Sequence, residues 1–236
     1  MKRTFDRLPF QPDPRDDSYT GERLAAMIEL GLAAPVTWSN RNRVLDQGQT
    51  GQCVAFGTLG LLNTDDENHN NPGFASADAH RFFATIPGAG PNGAEVRNGL
   101  KAAKSAGFIS AYALLRTERE VDDWLRSHGP VLVGSIWTEG MCEPKDGLVR
   151  VDRTLSPGLP GHCYFWHGAD TYYREGTNSW GEDWGERGLF RVRRADASRL
   201  HAHGGEAWAV VQDPVPERQA QASWWAAIMD WLRRTR

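Results

Sequence analysis

An α+β fold is what this sequence predicts, and three runs of residues carry that expectation. Cys53 to Leu62 is a ten-residue stretch, apolar on every side, which suits a helix buried all round. Gly161 to Trp166 is an aromatic run that reads as a buried strand, and Leu189 to Val192 reads as a second one. Size agrees with this: 236 residues with 40% hydrophobic content can bury a full core in one domain without covalent staples.

The first of those elements begins at a cysteine, and the residues before it suit a nucleophile. The string Gln47-Gly48-Gln49-Thr50-Gly51-Gln52-Cys53 would place the thiol at a helix N-terminus, where the peptide dipoles favour a thiolate. Gly51 leaves room for a substrate backbone, and Gln47 offers a side-chain N–H for a developing oxyanion. His162 opens the aromatic strand, and Asn178 follows it by 178 − 162 = 16 residues. That gap fits two neighbouring antiparallel strands joined by a loop, so the two side chains can meet. The chain order is Cys, His, Asn.

In three separate blocks the sequence resembles the papain-like cysteine peptidases. Gln47, Gly48, Gly51 and Cys53 match the block around the family's nucleophile, and Ala55-Phe56 continues it. Gly161-His162, followed by an apolar strand, matches the second block. The third runs Asn178-Ser179-Trp180-Gly181, then Trp184-Gly185, then Gly188; agreement at seven fixed positions is specific. The likeness extends from about Pro35 to Pro214, with weaker matches in Asn92-Gly93-Ala94 and the following helix-like Gly99 to Lys104, and in Gly129 to Gly134. It implies a two-lobed molecule: a helical lobe with Cys53 on its central helix, and an antiparallel sheet or small barrel with His162 and Asn178. It also implies a thiol peptidase that works through a covalent thioester. Its catalytic residues would be Cys53, His162, Asn178 and Gln47. Its substrate-binding residues would be Gly93 and Ala94, whose backbone pairs with an extended peptide, together with Gly161 and Trp180, the latter covering the His162–Asn178 hydrogen bond. A catalytically idle protein that keeps the fold and docks as a binding or structural component is the alternative.

The departures from the family pattern concern specificity. Val54 stands where the family has Trp. His162 follows Cys53 by 162 − 53 = 109 residues, against about 130–150 in the family, so loops that line the cleft are shortened. Trp137, Glu139 and Met141 become candidate cleft residues. Thr50 replaces a cysteine that many secreted members use in a disulfide.

Three cysteines, one of them the candidate nucleophile, leave Cys142 and Cys163 as the one pair available for a disulfide. By strand alternation Cys163 should point away from His162 and act as a small buried filler. So few cysteines suggest a reducing compartment, and the polar Met1 to Arg7 does not read as a secretion signal. A cytoplasmic protein is therefore expected, with virion association as a variant of that. No stretch reaches the ~20 apolar residues of a membrane span. A net charge of −3 with no dominant basic block argues against nucleic acid as a partner; peptide or protein is the expected substrate. No cofactor or metal is called for, and His201-Ala202-His203 reads as exposed loop polarity.

Two segments flank the expected 35–214 domain. Residues 1–34 form an N-terminal extension, Pro-rich early and helix-like from Glu22 to Leu32, expected to lie on the domain as an ordered strap; a cleft-blocking segment is the functional alternative. Residues 215–236 read as a Trp-rich amphipathic helix, with Trp224, Ile228, Trp231 and Leu232 on one face. Packing on its own domain is the plainer expectation for this helix. Docking of residues 217–236 to a partner, or less readily to a membrane surface, is its rival.

Overall fold

The computed structural model describes residues 7–13, 35–40, 42–66, 72–156 and 158–212. The helix-like Glu22 to Leu32 and the Trp-rich tail fall outside the described residues. Five helices and seven strands are described: β1 (Val36–Thr37), α1 (Cys53–Leu62), α2 (Ser76–Phe83), α3 (Val96–Ser105), β2 (Ala111–Leu115), α4 (Glu118–Ser127), β3 (Val131–Ile136), β4 (Gly161–Ala169), β5 (Tyr173–Thr177), β6 (Leu189–Arg193), α5 (Arg194–Ala202) and β7 (Glu206–Val211). The strands form one antiparallel sheet in the order β2-β7-β3-β4-β5-β6, with β1 paired on β4. The α+β expectation holds, and α1 has the bounds that the apolar run predicts.

Strand alternation divides the core in two. Leu132, Cys163, Phe165, Trp208 and Val210 join the helical lobe's cluster, with Val54, Phe56, Leu59, Phe82 and Leu100. Their neighbours Val131, Val133, Tyr164, Trp166, Ala207 and Ala209 join a second cluster on the opposite sheet face, with Trp124, Trp137, Trp180, Trp184 and Phe190. One strand thus serves both lobes through its period of two.

All ten residues of α1 are buried, so the helix must approach β4 closely along one side. Two glycines permit it. A Cβ at Gly57 would lie 2.9 Å from Cys163 Sγ, and one at Gly60 would lie 3.0 Å from the Phe165 ring. On the other side of α1, a Cβ at Gly99 of α3 would lie 2.6 Å from Val54 Cγ1. Val54 is therefore core, packed where helix meets helix. All three cysteines are free thiols, so the one available disulfide does not form.

Behind the sheet a buried charge network ties three elements. Arg174 of β5 reaches Asp122 at 2.5 Å and Glu118 at 3.1 Å, both on α4, and Arg194 of α5 also bonds Asp122. His201 lies in α5, not in an exposed loop, and its Nδ1 is 2.9 Å from Glu118 Oε1. No group of metal-binding side chains is found among the described residues, and no described helix is long and apolar enough to cross a membrane.

Two predictions follow from this packing. Gly57→Ala should cost about 1–3 kcal/mol by forcing α1 off β4. Cys163→Ala, which removes the opposing sulfur, should recover part of that loss; strictly additive effects in a double-mutant cycle would show that the two positions do not touch. The second prediction concerns His167, whose ring lies 3.0 Å from Thr177 Oγ1 and whose pKa burial lowers from 6.5 to about 4. The unfolded chain takes up this proton below about 6.5 and the folded chain resists until about 4. Stability from this ring is complete above the upper value and lost as pH falls between the two. Between pH 7.5 and 4.5, His167→Gln should lose about 2–3 kcal/mol less than the parent in denaturant titrations. Equal losses would place the acid sensitivity elsewhere.

Candidate active site

The loop that precedes Cys53 is positioned by the Asn178 block. Gln47 N–H donates to the Ser179 carbonyl at 2.9 Å, Gly181 N–H to the Leu45 carbonyl at 3.2 Å, and Asp46 bridges to Trp180. Residues 45–47 and 179–181 are thereby laced side by side. The block holds its own shape through glycine: Gly188 has φ +85°, and a Cβ there would lie 2.6 Å from Val44 Cγ1. Only glycine adopts that conformation without strain.

Gln47 is buried and fixed at both ends of its amide. Its Nε2 donates to the Thr50 carbonyl at 2.6 Å, and its Oε1 accepts from Ser179 Oγ at 2.6 Å. With Oε1 fixed by Ser179, the amide is oriented and a second N–H remains on Nε2. Ser179 is a residue to which sequence reasoning gave no role, although it sits inside the quoted block. Nothing in its type or spacing distinguishes it; its role comes from the lacing that brings residue 47 beside residue 179.

Cys53 begins α1 at the expected N-terminus, with the first-turn N–H groups of Ala55 and Phe56 bonded back to the Gln52 carbonyl. The helix runs along β4 with Gly57 over Cys163 and Gly60 over Phe165. Its N-terminus, one turn before Gly57, therefore points to the Gly161–His162 end of the strand.

His162 Nε2 donates to Asn178 Oδ1 at 2.8 Å. β4 and β5 are neighbouring antiparallel strands, and Asn178 directly follows β5. The same Asn178 oxygen accepts from Ser179 N–H at 2.7 Å. Trp180, at 1% exposure, lies 5.0 Å from the His162 ring between centroids, and Trp137 meets that ring edge-on at 4.8 Å. Trp180 is thus an interior side chain beside the His–Asn pair. Trp137 and Met141 are core residues as well, buried with the same cluster, which corrects their placement along the cleft. Cys163 points to the helical lobe as alternation required, and burial, with Cys53 and Glu206 adding to it, raises its pKa far above the ordinary thiol value. That thiol is inert.

Gly93 turns the chain with φ +89°, and Ala94 and Gly161 stand across from each other at the two lobes. Between them runs the protein's own N-terminal segment. Arg7 N–H donates to the Gly161 carbonyl at 3.0 Å and Leu8 N–H to the Ala94 carbonyl at 3.1 Å. Arg7 and Leu8 accordingly pass between the two residues assigned to substrate backbone. Cys53 and His162 are each 0% exposed in this arrangement.

No protein-family model matches the sequence. Cathepsin F of Mus musculus is 24% identical over 216 residues, covering 76% of this chain and 46% of cathepsin F; the chain spans about half the length of that relative. Among solved structures, xylellain, a cysteine protease from Xylella fastidiosa, superposes with a TM-score of 0.66 at 18% identity, covering 90% of this chain and 98% of xylellain. Trypanosoma congolense procathepsin B S9 gives 0.63 at 12% identity, covering 88% and 87%. Digestive procathepsin L 3 from the larval midgut of Tenebrio molitor gives 0.57 at 19%, covering 89% and 75%. At these identities the structural likeness establishes the fold. The chain therefore has the papain-like fold, and its sequence is similar to that of a cathepsin.

Proposed function

We propose that the protein is a thiol peptidase that hydrolyses peptide bonds through Cys53, His162 and Asn178, with a thioester on Cys53 as the covalent intermediate. The observation that carries this is the buried 2.8 Å hydrogen bond from His162 Nε2 to Asn178 Oδ1, at the end of β4 toward which the Cys53 end of α1 points.

That bond fixes the imidazole. With Nε2–H committed to an amide oxygen, Nδ1 is the nitrogen that exchanges a proton with Cys53. Transfer gives a thiolate at a helix N-terminus beside an imidazolium, two charges that stabilise each other. Trp180 and Trp137 exclude water from the His162 ring, which strengthens its bond to Asn178. The thiolate attacks a peptide carbonyl, and the developing oxyanion is held by the Cys53 backbone N–H and the remaining N–H of Gln47. His162 then protonates the leaving amine, and water, deprotonated by the same ring, hydrolyses the thioester. Asn178 stays an uncharged orienter throughout.

Cys53→Ala or His162→Ala should abolish cleavage of a peptide library by the full chain, and Asn178→Ala should leave a reduced rate. Gln47→Ala should lower kcat about 10²–10³-fold with KM nearly unchanged, since its donor acts in the transition state. Ser179→Ala should shift the same parameter in the same direction by a smaller factor, because it loosens the amide without removing it. Cleavage that survives Cys53→Ala would end the proposal.

A further inference from the structure

The segment beside β6 carries cations that the candidate active site does not use. Val149 N–H donates to the Arg191 carbonyl at 3.0 Å, and Arg191 N–H donates to the Gly147 carbonyl at 2.7 Å. Residues 147–149 thereby extend the β6 side of the sheet. Between this segment, the end of β6 and the start of α5 is a pocket of about 450 Å³. Four arginines line it, Arg150, Arg153, Arg193 and Arg199, against one carboxylate, Asp196. In a chain whose net charge is −3, that is a local excess of the opposite sign. The pocket lies at the Arg193 end of β6, while Asn178 follows Thr177, the partner of Leu189 at the other end.

One arginine braces the pocket and three are left to it. Arg199 Nη1 meets Asp196 Oδ1 at 2.8 Å, and its Nη2 donates to the Asp152 carbonyl at 3.0 Å and the Arg153 carbonyl at 2.7 Å. These bonds pin the 152–153 backbone to α5 and hold Arg153 at the rim. Asp196 is thus engaged. Asp152 Oδ1 lies against Gly140, where a Cβ would come within 2.6 Å of it. The side chains of Arg150, Arg153 and Arg193 pair with no carboxylate among the described residues. Their like charges oppose one another until an anion enters. The start of α5 acts in the same sense. Arg193 stands at its N-cap with no side-chain bond to the first turn, so the positive end of the helix dipole lies beside the same pocket.

The chemistry of the lining narrows the ligand. Every cation is a guanidinium and no lysine is among them. A guanidinium presents forked donors that match two oxygens of one phosphate. Half-buried Leu148 and Val151 give the pocket an apolar side, which strengthens charge pairing next to it. The volume falls within the range of about 300–1,000 Å³ that small-molecule sites occupy. Three unpaired guanidiniums on two separate chain segments exceed what a single phosphate can bond at once.

We propose that this pocket binds a small oligophosphate anion, one with two or more linked phosphate groups. Arg150, Arg153 and Arg193 bond its oxygens, and Arg199 braces the site. The proposal does not rest on the peptidase reading, since none of these residues touches Cys53, His162 or Asn178.

Isothermal titration of the full chain with tripolyphosphate, pyrophosphate, orthophosphate and sulfate, at one ionic strength, tests it. Tripolyphosphate should bind at a single site, about tenfold or more tightly than orthophosphate or sulfate. Arg150→Gln, Arg153→Gln and Arg193→Gln should each weaken it about three- to tenfold. Arg193→Lys, which keeps the charge and loses the fork, should recover only part of that loss. Arg81→Gln, which removes a 62% exposed arginine side chain on α2, should change nothing. Melting temperatures without anion should not fall in the three Gln variants, because each removes a repulsion; a variant that does not fold is replaced by Lys at the same position and read for partial loss. Three outcomes would overturn the proposal: no saturable binding, equal weakening by Arg81→Gln, or a hexa-aspartate peptide that binds more tightly than tripolyphosphate. The last would mark the patch as a surface for an acidic protein.

Discussion

The close approach of α1 to β4 is the constraint on which the candidate site depends. A helix and a strand that carried ordinary side chains at 57 and 60 would stand further apart, because a Cβ at Gly57 would already press on Cys163 Sγ at 2.9 Å. Removing those side chains lets the helix axis settle on the strand, and Cys53 is then carried to the end of β4 that bears His162. The arrangement is rigid because both partners are interior: all of α1 is buried, and so is every residue of β4. Cys53 is therefore held by packing on several sides of its helix, while the catalytic proposal asks of the backbone only that it stay where the core puts it.

Lacing supplies the second half of the geometry. The 45–47 loop and the 179–181 segment share backbone hydrogen bonds, and Ser179 closes onto Gln47 Oε1 at 2.6 Å. Thus Asn178, which bonds the His162 ring, is chain-adjacent to Ser179, which bonds the Gln47 amide. A displacement of this segment moves both contacts together. The aromatic cluster has a complementary effect. Trp137 touches His162, Tyr164, Trp180, Trp184 and Phe190 with ring centroids between 4.8 and 6.2 Å. It fills the far side of the sheet with rigid rings and removes water from the His162 ring.

Much of this was legible in the sequence because it rests on local pattern. The ten apolar residues from Cys53 fix a buried helix, the 16-residue spacing brings His162 to Asn178, and alternation sends Cys163 to the opposite face. What was not legible depends on pairs far apart in the chain. Ser179 meets Gln47 across 132 positions and Arg7 meets Glu206 across 199, and neither residue type announces such a partner. Trp137 and Met141 were placed at the cleft from loop length alone, and the core claimed them because large apolar side chains gain more from burial than a shortened loop can offer outside. His201 looked like loop polarity because alternating histidines carry no helical signal. In the fold, the last turn of α5 sets it beside Glu118.

Among the described residues are two buried arginine–carboxylate systems, and they differ in how the arginine is held. Arg174, Asp122 and Glu118 all belong to regular elements, β5 and α4, with Arg194 and His201 of α5 added. Every charge there arrives with the fold, and burial pulls the Arg174 pKa down even as the carboxylates oppose it. Removing Arg174 would leave Asp122 only Arg194 and Glu118 only His201 among these partners, and breaking such a buried pair costs about 3–5 kcal/mol. Glu206 is different in kind. Burial raises its pKa, while Arg7 and the Trp208 N–H favour its ionised form. Its cation is contributed by a strap whose backbone bonds run to Gly161 and Ala94. A carboxylate fixed in a sheet and a guanidinium on a strap form a pair that can part without unfolding the domain.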